Sequence, residues 1–556
     1  MTPCRAAHTQ LAPSPTSSPL PPPRSVTPLC YDAWEAELQF HPDQSLVEYL
    51  LGGLRSGFRT GFIPSSTSLS SSTNNMLSAT QHPEVVDQYL ETECSLGRVA
   101  GPFSALPLPN LHISRFGVIP KKSSPGKWRL ILDLSSPSGA SVNDGIPSDP
   151  YRLQYISVDD AINIIMRLGR GALLAKIDVA SAYRLIPIHP DERYLLGMRW
   201  RGNYFIDLTL PFGLRSAPFI FTQLADALQW IGLTSYHIPH LLHYLDDFLT
   251  VGPPDSPSCQ QSLDSLISLC ARLGVPLSTH KVAGPSTSLE FLGIELDSLN
   301  LEARLPADKL SRLKTLLEEW IEKKSCTKRE LLSLIGLLQH AAKVVVPGRT
   351  FVRRLINLST IARELHHHIR LSRASRQDLL WWREFLVSWH GRSFFLSPHW
   401  APLPDFQLTT DAAGSLGCGG VLGVHWFALS WPAELAHQHI TFKELFPIAV
   451  SFLLWGKLWT SRRILLFCDN EAVVNIVNSG TSRDEGVMFL LRRMFLLAAQ
   501  GSFAFHASHL LGRINRLADA LSRFRFQEFH QLHPEADSLP TEVSPELISS
   551  LIPSSL

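Results

Sequence analysis

A pair of adjacent aspartates inside a short apolar stretch constrains this chain more than any other feature. Asp246 and Asp247 follow Tyr244-Leu245 and lie between the runs 240–242 and 249–251. This pattern predicts two short strands that meet at a tight turn. Adjacent residues of a strand point to opposite faces, so two neighbouring carboxylates act together best at the turn itself. An ordinary solvated Asp-Asp turn is the alternative.

Length and charge set the limits for the rest of the chain. At about 150 residues per domain, its 556 residues predict three or four domains. The formal net charge is +1, so any surface for a polyanion must be local. The eight cysteines form no C-x-x-C pair, which argues against a zinc module and a disulfide framework. We find no membrane span or secretory signal and expect an intracellular protein, cytoplasmic or nuclear, without a membrane partner.

A third carboxylate lies at the end of another apolar stretch. Residues 172–178 predict a buried strand that ends in Asp178, and small residues and Tyr183 follow it. The run 210–218 then predicts a turn that opens a helix, and its small residues would let the backbone approach a ligand closely. A strand-end aspartate also caps helices, so Asp178 alone does not define a function.

A basic hairpin precedes these features. Strands are predicted at 116–119 and 127–133, with Lys122 and Arg129 near the loop between them. Such a hairpin could hold a triphosphate. An arginine guanidinium forms bidentate hydrogen bonds with phosphate oxygens, and a lysine acts as a point charge. For this segment alone, a solvated loop is the commoner explanation.

Taken in order, these stretches resemble a reverse transcriptase over residues 83–296. Tyr244-Leu245-Asp246-Asp247 resembles the Y-x-D-D box, and Asp178 resembles the first aspartate of the palm. Five ordered motifs are far more specific than any one of them. The resemblance also assigns roles to Lys122 and Arg129 on the incoming triphosphate, Tyr183 at the steric gate, Phe212 near the nucleotide, and Lys281 with Phe291-Leu292-Gly293 in the later palm and primer-grip motifs.

Two positions depart from the family pattern. Phe212 stands where retroviral enzymes have Gln, so apolar packing would replace a polar contact near the nucleotide. Arg115 stands where a Pro often precedes the Phe-Gly pair. Neither residue is among the implied metal ligands.

The resemblance implies two-metal chemistry. Asp178, Asp246 and Asp247 would hold two Mg²⁺ ions, with Mn²⁺ as an alternative, to activate the primer 3′-hydroxyl and stabilise the departing pyrophosphate. The ring of Tyr183 would lie where a 2′-hydroxyl must go. The implied substrates are therefore dNTPs, with an RNA template and a DNA primer as partners.

Residues 301–376 predict helices with a local basic excess. The segment 341–376 holds eight Lys and Arg residues and one acid, Glu364. This excess could follow a phosphate backbone or could be a solvated helix face. His366-His367-His368 are consecutive and cannot share one helical face, so we expect surface or backbone-contacting residues rather than a metal site.

Four further acids are expected on elements that alternate between strand and helix along the chain. Strands are predicted at 406–411 and 464–467, and helices begin at Thr441 and cover 516–521. The glycine-rich run 417–423 is expected to lead into another strand. The acids on or beside the strand, helix, strand and helix are, in order, Asp411, Glu444, Asp469 and Asp519.

That order of acids resembles ribonuclease H. His509-Leu510-Leu511-Gly512 resembles the mobile histidine loop of that family, with Leu511 in place of a frequent Pro. The resemblance implies that the four acids hold two Mg²⁺ ions and that the enzyme cleaves the RNA strand of an RNA–DNA hybrid. Without it, the acids could be separate caps and turn residues.

The predicted fold class is α+β and multidomain, with a right-hand polymerase of fingers, palm and thumb, a helical connection, and an α/β ribonuclease H-like domain. The predicted domains are 1–80, mostly disordered and Pro/Ser/Thr-rich with a short helix at 44–54; 81–300, fingers and palm; 301–400, thumb and connection; 401–526, ribonuclease H-like; and 527–556, a tail.

The order of these parts resembles a retrotransposon polyprotein core. His41-Pro42-Asp43, Ser141-Val142-Asn143-Asp144-Gly145 and Glu444-Leu445-Phe446-Pro447 resemble the DIRS, or tyrosine-recombinase, class most closely. An active RNA-directed DNA polymerase with ribonuclease H activity is the first hypothesis. An inactive or domesticated remnant that binds nucleic acid is the second.

Overall fold

A computed structural model describes residues 27–64, 69, 74–120, 126–389, 391–396 and 407–552. The chain divides into two compact units, Met1–Ser157 with Leu173–Ser286, and Val158–Ala172 with Thr287–Leu556. Both units mix helices and sheets, as predicted for an α+β chain. Within these ranges, every helix is too short or too polar to cross a bilayer.

The helices, in chain order, have the following bounds: α1 Tyr31–Leu38, α2 Gln44–Ser56, α3 Leu77–Gln81, α4 Pro83–Ser95, α5 Val158–Leu168, α6 Ala217–Thr234, α7 Ser258–Leu273, α8 Ala307–Glu322, α9 Lys328–Ala341, α10 Arg353–Ser359, α11 Arg373–Ser388, α12 Ile440–Trp455, α13 Glu471–Ser479, α14 Glu485–Gly501, α15 Arg516–Ser522, α16 Phe526–Leu532 and α17 Pro545–Ser550.

The strands, in chain order, have the following bounds: β1 Val99–Phe103, β2 Ile113–Pro120, β3 Trp128–Asp133, β4 Leu173–Asp178, β5 Gly197–Trp200, β6 Asn203–Asp207, β7 Leu241–Tyr244, β8 Asp247–Gly252, β9 Ala283–Ser286, β10 Ser288–Phe291, β11 Ile294–Asp297, β12 Glu302–Arg304, β13 Ser325–Thr327, β14 His368–Arg370, β15 Arg392–Phe394, β16 Gln407–Ala412, β17 Gly417–Leu422, β18 His425–Ser430, β19 Arg463–Cys468 and β20 Ala504–His509.

The first unit is built around an antiparallel sheet of order β7-β8-β4-β9. Ala175 and Ile177 of β4 and Phe248 of β8 are buried in the core that α6 and α7 also line. The predicted strands on either side of the aspartate pair are present as β7 and β8, and the predicted strand that ends in Asp178 is β4.

The start of the chain packs more closely than its composition indicated. The helix expected at 44–54 is present as α2, which begins after Asp43, whose side chain accepts a 3.0 Å hydrogen bond from the Leu46 N–H. A second helix, α1, precedes it, and the Trp34 indole N–H donates to the Leu273 carbonyl at 3.1 Å. Trp34 and Leu50 belong to the core of the first unit, so this part of the expected disordered region is folded. Residues 1–26 lie outside the described ranges.

A second sheet of the first unit has the order β1-β6-β5-β2-β3. The predicted basic hairpin is the pair β2–β3, and Arg115 forms a cross-strand ion pair with Asp133 at 2.9 Å. Helix α4 ends at Ser95, and Gly97, with φ +66°, turns the chain into β1. The tip of the hairpin, 121–125, lies outside the described residues.

The second unit contains a sheet of order β10-β11-β12-β15, the short pair β13–β14, and helices α8 to α11. Residues 301–376 are therefore helical only in part. The strands that interrupt them have three residues each, too few to produce a readable period. His368 begins β14 and is exposed, as are His366 and His367. Thr327 and Glu330 form a capping box that starts α9.

The same unit contains a mixed sheet of order β18-β17-β16-β19-β20. β16 is antiparallel to β17 and parallel to β19. The glycine-rich run expected to lead into a strand is itself the strand β17. A Cβ at Gly419 would lie 2.5 Å from the Leu521 Cβ, so the glycines here let α15 pack directly on the strand.

The last part of the chain packs against the outer strand of this sheet. Asp537 accepts from the Trp426 indole N–H through its carbonyl at 2.7 Å and pairs with His425 through its carboxylate at 2.6 Å. Phe529 of α16 is fully buried. The segment expected as a tail from residue 527 is thus structurally continuous with the mixed sheet.

A buried charge network of the first unit fixes the turn that follows β4. Arg184 contacts the carboxylates of Glu93 at 2.8 Å and Asp207 at 2.7 Å, and all three side chains are buried. Burial is the main cause that raises the pKa of Asp207, to about 6. Such a network is costly to break, because one buried charge then remains without its partner.

We therefore predict that Asp207→Asn destabilises the first unit by about 3 kcal/mol. The change keeps the side-chain shape and removes only the charge that faces Arg184. Hydrogen exchange of β5 and β6 measured against urea reports on this unit separately. Asp191→Asn is the matched control, since Asp191 and its partner Arg59 are both more than half exposed and such pairs contribute at most about 1 kcal/mol. Equal effects of the two changes would contradict the prediction.

Candidate active sites

Strand register brings three predicted carboxylates of the first unit together. Asp178, the last residue of β4, lies directly opposite Asp247, the first residue of β8. Tyr244 also pairs with Asp247, across the hairpin formed by β7 and β8. Asp246 therefore lies in the two-residue turn, next to the end of β4.

The backbone of this turn is held tightly. Leu245 has φ +54°, a left-handed conformation that costs a residue with a branched side chain about 1–2 kcal/mol. The Asp246 carbonyl accepts a 2.9 Å hydrogen bond from the N–H of Val179, the residue after Asp178. This bond ties the turn to the end of β4, so the three carboxylates are positioned by main-chain contacts.

The charges around the three acids are only partly balanced. Lys281 donates to Asp178 at 2.7 Å, and this hydrogen bond raises the pKa of the lysine. Burial raises the pKa of Asp246, and burial followed by repulsion from Asp246 and Asp178 raises the pKa of Asp247 to about 6. Three close carboxylates that face the charges of Lys281 and Lys176 keep a net negative charge and offer the oxygen donors that suit a divalent cation.

An aromatic surface lies beside the acids. Tyr183 follows β4 in a short 3-10 turn, and its ring lies 5.2 Å from that of Phe212 and 5.8 Å from that of Phe221. Burial, with smaller effects of Tyr155 and Asp246, raises the pKa of the Tyr183 hydroxyl to about 12. Phe212 is 58% exposed, so its ring is open to a ligand.

Of the two basic residues predicted to contact a triphosphate, the structure describes Arg129 and does not bring it into this cluster. Arg129 is exposed on β3, where it pairs with Ile119 in the second sheet of the unit. Lys122 lies outside the described residues. Their predicted role therefore stays a prediction.

Sequence reasoning gave no role to Asn143. This side chain is buried, donates to the Gly213 carbonyl at 2.9 Å and accepts from the Arg215 N–H at 2.8 Å. It thereby fixes the turn that carries Phe212. Its partners are main-chain groups distant in sequence. The only signal for this contact in the sequence is therefore the polar residue itself, within the stretch 141–145.

Four predicted acids of the second unit lie on adjoining elements. Asp411 lies on β16, Glu444 on α12, Asp469 directly after β19, and Asp519 on α15. Because β16 and β19 are parallel neighbours, their carboxyl ends bring Asp411 and Asp469 to the same edge of the sheet. Asp411 and Glu444 are each 6% exposed.

Burial and mutual repulsion perturb these acids strongly. Burial, followed by the charges of Asp411 and Asp469, raises the pKa of Glu444 to about 9. Burial also raises the pKa of Asp411, although the Ser522 hydroxyl donates to its carboxylate at 2.5 Å. The Oε2 atom of Glu444 is buried and accepts no hydrogen bond from the described residues. An unpartnered buried carboxylate oxygen beside other acids fits a cation site.

Asp519 and His509 have protein partners. The Asp519 carboxylate pairs with Arg523 at 2.7 Å and with Arg525. The His509 imidazole lies 3.1 Å from the Asp469 carbonyl, and a Cβ at Gly512 would lie 3.1 Å from an Asp469 carboxylate oxygen. The histidine loop therefore adjoins the edge of the sheet that carries the acids.

Three residues around the second site escaped sequence reasoning. The Asn515 amide donates to the Thr410 carbonyl at 3.0 Å and so fixes the start of α15 to β16. The Lys443 ammonium, buried beside Glu444, donates to the carbonyls of Gly414 and Ala436. Potential ligand atoms of Cys468, Glu444 and Asp469 all lie within 4.8 Å of one another. A ligand role for Cys468 could not be predicted from the sequence, because this residue belongs to no cysteine motif.

Comparison with known proteins identifies one part of the chain. Residues 119–296 match the family model described as reverse transcriptase (RNA-dependent DNA polymerase). The Pro-Pol polyprotein of simian foamy virus type 1 is 26% identical over 180 residues, 32% of this chain and 14% of that protein. The retrovirus-related Pol polyproteins from transposons 297 and 412 of Drosophila melanogaster are 22% identical over 436 residues, 75% of this chain. The chain spans 36% and 31% of their length.

Solved structures of a foamy viral protease-reverse transcriptase also align with the chain. The complex of its dRH form with double-stranded DNA has a TM-score of 0.48 at 16% identity, covering 90% of this chain and 84% of that one. The complex with an RNA/DNA hybrid has a TM-score of 0.46 at 15% identity, covering 96% and 66%. Residues 119–296 therefore match the reverse transcriptase family, and the chain is similar in sequence to the Pol polyproteins of retroelements.

Proposed function

We propose that this protein is an RNA-directed DNA polymerase that also cleaves the RNA strand of RNA–DNA hybrids. One observation carries the polymerase assignment. Within the segment that matches the family, the register of β4 and β8 sets Asp178 opposite Asp247, with Asp246 in the adjoining turn. The proposed substrates are dNTPs, and the proposed partners are an RNA template, a DNA primer and their hybrid.

The three acids of the first unit would hold two Mg²⁺ ions, or Mn²⁺ in their place. The donor set supports this proposal, since Mg²⁺ prefers carboxylate oxygens and keeps the remaining positions for water and phosphate. When bound, the ions would supply the Lewis acid that activates the primer 3′-hydroxyl and balances charge on the leaving pyrophosphate.

The surrounding residues would orient the reactants. Lys281 fixes the carboxylate of Asp178 through their 2.7 Å hydrogen bond. The ring of Tyr183, packed against Phe212 and Phe221, forms a rigid wall beside the acids. A rigid aromatic wall at this place would exclude a 2′-hydroxyl and so select deoxynucleotides. Lys122 and Arg129 are proposed to contact the triphosphate.

The acids of the second unit would form a nuclease site. Asp411, Glu444, Asp469 and Asp519 would hold two Mg²⁺ ions, and the unpartnered Glu444 oxygen supports this fit. When bound, the ions would polarise the attacking water and stabilise the leaving 3′-oxygen. Asp519 must then exchange at least one of its arginine partners for the cation, and His509 is proposed to act beside the site.

Within the retroelements, we propose that the chain belongs to the DIRS class. The stretches 41–43, 141–145 and 444–447 support this proposal through their resemblance to that class. A tyrosine recombinase encoded in the same genomic element would agree with the assignment, and an integrase in its place would contradict it.

We predict that Asp246→Asn reduces primer extension on an RNA template by at least about a thousandfold, since electrostatic stabilisation at such a site contributes several kcal/mol. The assay contains dNTPs and Mg²⁺. Asp264→Asn, on the exposed face of α7, is the control and keeps the activity. If the wild type and Asp246→Asn were equally inert, while both bound the hybrid, the protein would be a nucleic-acid-binding remnant instead.

The raised pKa of Asp247 predicts a pH dependence of Mg²⁺ use. Below about pH 6 this carboxyl carries a proton that a cation must displace, so Mg²⁺ affinity rises with pH and levels off above that value. The Mg²⁺ concentration that half-saturates primer extension should fall by up to about tenfold per pH unit below about pH 6. The half-saturating Mg²⁺ concentration is measured in the Glu444→Gln variant, so that cation binding at the second site does not contribute to it. A constant requirement across this range would contradict the prediction.

We predict that Glu444→Gln abolishes cleavage of the RNA strand in a hybrid but leaves primer extension intact. The amide keeps the shape of the side chain and removes the charge that a divalent cation requires. Gel analysis of a hybrid with labelled RNA measures cleavage. Glu434→Gln is the control, because Glu434 is exposed and lies outside the acid cluster. Undiminished cleavage by Glu444→Gln would refute the proposed nuclease site.

A further inference from the structure

Cys468 distinguishes the second site from a set of carboxylates alone. It is the last residue of β19, it is fully buried, and Asp469 follows it directly. Its sulfur accepts from the Asn470 N–H at 3.4 Å, which holds the sulfur at the end of the strand where the acids lie. A buried thiol beside two carboxylates mixes soft and hard ligands in one place.

Three side chains lie close enough to one another to share one cation. One ligand atom each of Cys468, Glu444 and Asp469 lies within 4.8 Å of the other two. Glu444 is 6% exposed, and its Oε2 atom has no hydrogen-bond partner among the described residues. The observation independent of the cysteine is thus an unpartnered, buried oxygen in the same group.

We propose that Glu444, Cys468 and Asp469 form a binding site for a thiophilic divalent cation such as Zn²⁺. Zn²⁺ accepts cysteine sulfur and Asp or Glu oxygen among its ligands, and a site with three protein ligands keeps its fourth position for water. Mg²⁺ prefers oxygen and gains little from a thiol. On binding, the S–H bond of Cys468 breaks, a sulfur–metal bond forms, and the proton passes to solvent.

The site shares Glu444 and Asp469 with the proposed nuclease centre. A thiophilic cation there excludes Mg²⁺ from the same carboxylates, so it inhibits RNA cleavage. This consequence rests on the proposed function, whereas the binding itself rests only on the three ligands. RNA cleavage by the protein would therefore fall when such cations are abundant.

Cadmium is the probe, because a cadmium–thiolate bond produces a charge-transfer absorbance in the ultraviolet. The full chain, stripped of metals with EDTA, is titrated with Cd²⁺ alongside Cys468→Ser and Cys326→Ser. Cys326 is the matched control, since it is also a buried free cysteine of the second unit. Background binding at the remaining cysteines is common to all three proteins.

We expect Cys468→Ser to lose the absorbance of one cadmium–thiolate bond and Cys326→Ser to keep it. Loss of an outer partner of a metal ligand already weakens affinity by about 10–100-fold, so loss of a direct ligand should weaken it at least as much. Glu444→Gln keeps the thiol and should also weaken Cd²⁺ binding at least tenfold, which tests the site even if Cys468→Ser fails to fold. Equal titrations of the wild type and Glu444→Gln, or of the wild type and a folded Cys468→Ser, would overturn the proposal.

RNA cleavage separates this proposal from the proposed function. With Mg²⁺ present, added Zn²⁺ should inhibit cleavage by the wild type more strongly than cleavage by Cys468→Ser. A cadmium–thiolate signal without any Mg²⁺-dependent cleavage would support the cation site and refute the nuclease. Normal cleavage with no signal that depends on Cys468 would refute the cation site and leave the nuclease intact.

Discussion

The burial of carboxylates that also repel one another is the constraint on which both candidate sites depend. Acids that are close together and shielded from water favour the protonated form, and here the pKa of Asp247 rises to about 6 and that of Glu444 to about 9. Nothing in the acids themselves keeps them together. The chain holds them by strand register and main-chain hydrogen bonds, such as the one from Val179 to the Asp246 carbonyl, and the apolar cores of the two units offset the unfavourable electrostatics.

The two sites balance this repulsion differently. In the first unit Lys281 pairs with Asp178 and Lys176 adds a second positive charge near Asp247, while the two aspartates of the hairpin have no ion pair among the described residues. In the second unit the groups that balance the negative charge contact some of the acids and not others. Two arginines pair with Asp519 and a hydroxyl donates to Asp411, while Glu444 has an oxygen with no partner in the described chain. Glu444 is therefore the acid that gains most from a bound cation.

The strands that carry the acids were predictable, because each combines an apolar run with a carboxylate at or next to its end. This holds for β4 with Asp178, for the hairpin that carries Asp246, and for β19 followed by Asp469. The end of α4 also has a local signal in the sequence, because Gly97 follows it and adopts φ +66°. Strands of three residues, such as β13, are too short to leave a periodic signal, and they form only because a distant strand supplies their hydrogen bonds.

Composition was a poor guide where a short segment relies on a core made by others. Trp34 and Leu50 lie in a proline-poor interval between two polar runs, and neither run indicates that this interval packs against α7 and the central sheet. An amphipathic segment of this length gains its stability from the surface it covers, and that surface is assembled from residues far along the chain. The sequence could thus indicate the helix at 44–54 but not its place in the core.

Buried polar side chains complete both sites, and they act through the backbone. Asn143 fixes the turn of Phe212, Arg184 fixes the turn of Tyr183, and Asn515 fixes the helix of Asp519 to the strand of Asp411. Turns have little apolar surface, so packing alone cannot hold them at the accuracy that a reacting group requires. A buried amide or guanidinium can do so, because leaving it unpaired in the interior costs more than keeping the turn in place. The partners are main-chain carbonyls or acids far away in the sequence, and for this reason motifs identified the acids but not the residues that position them.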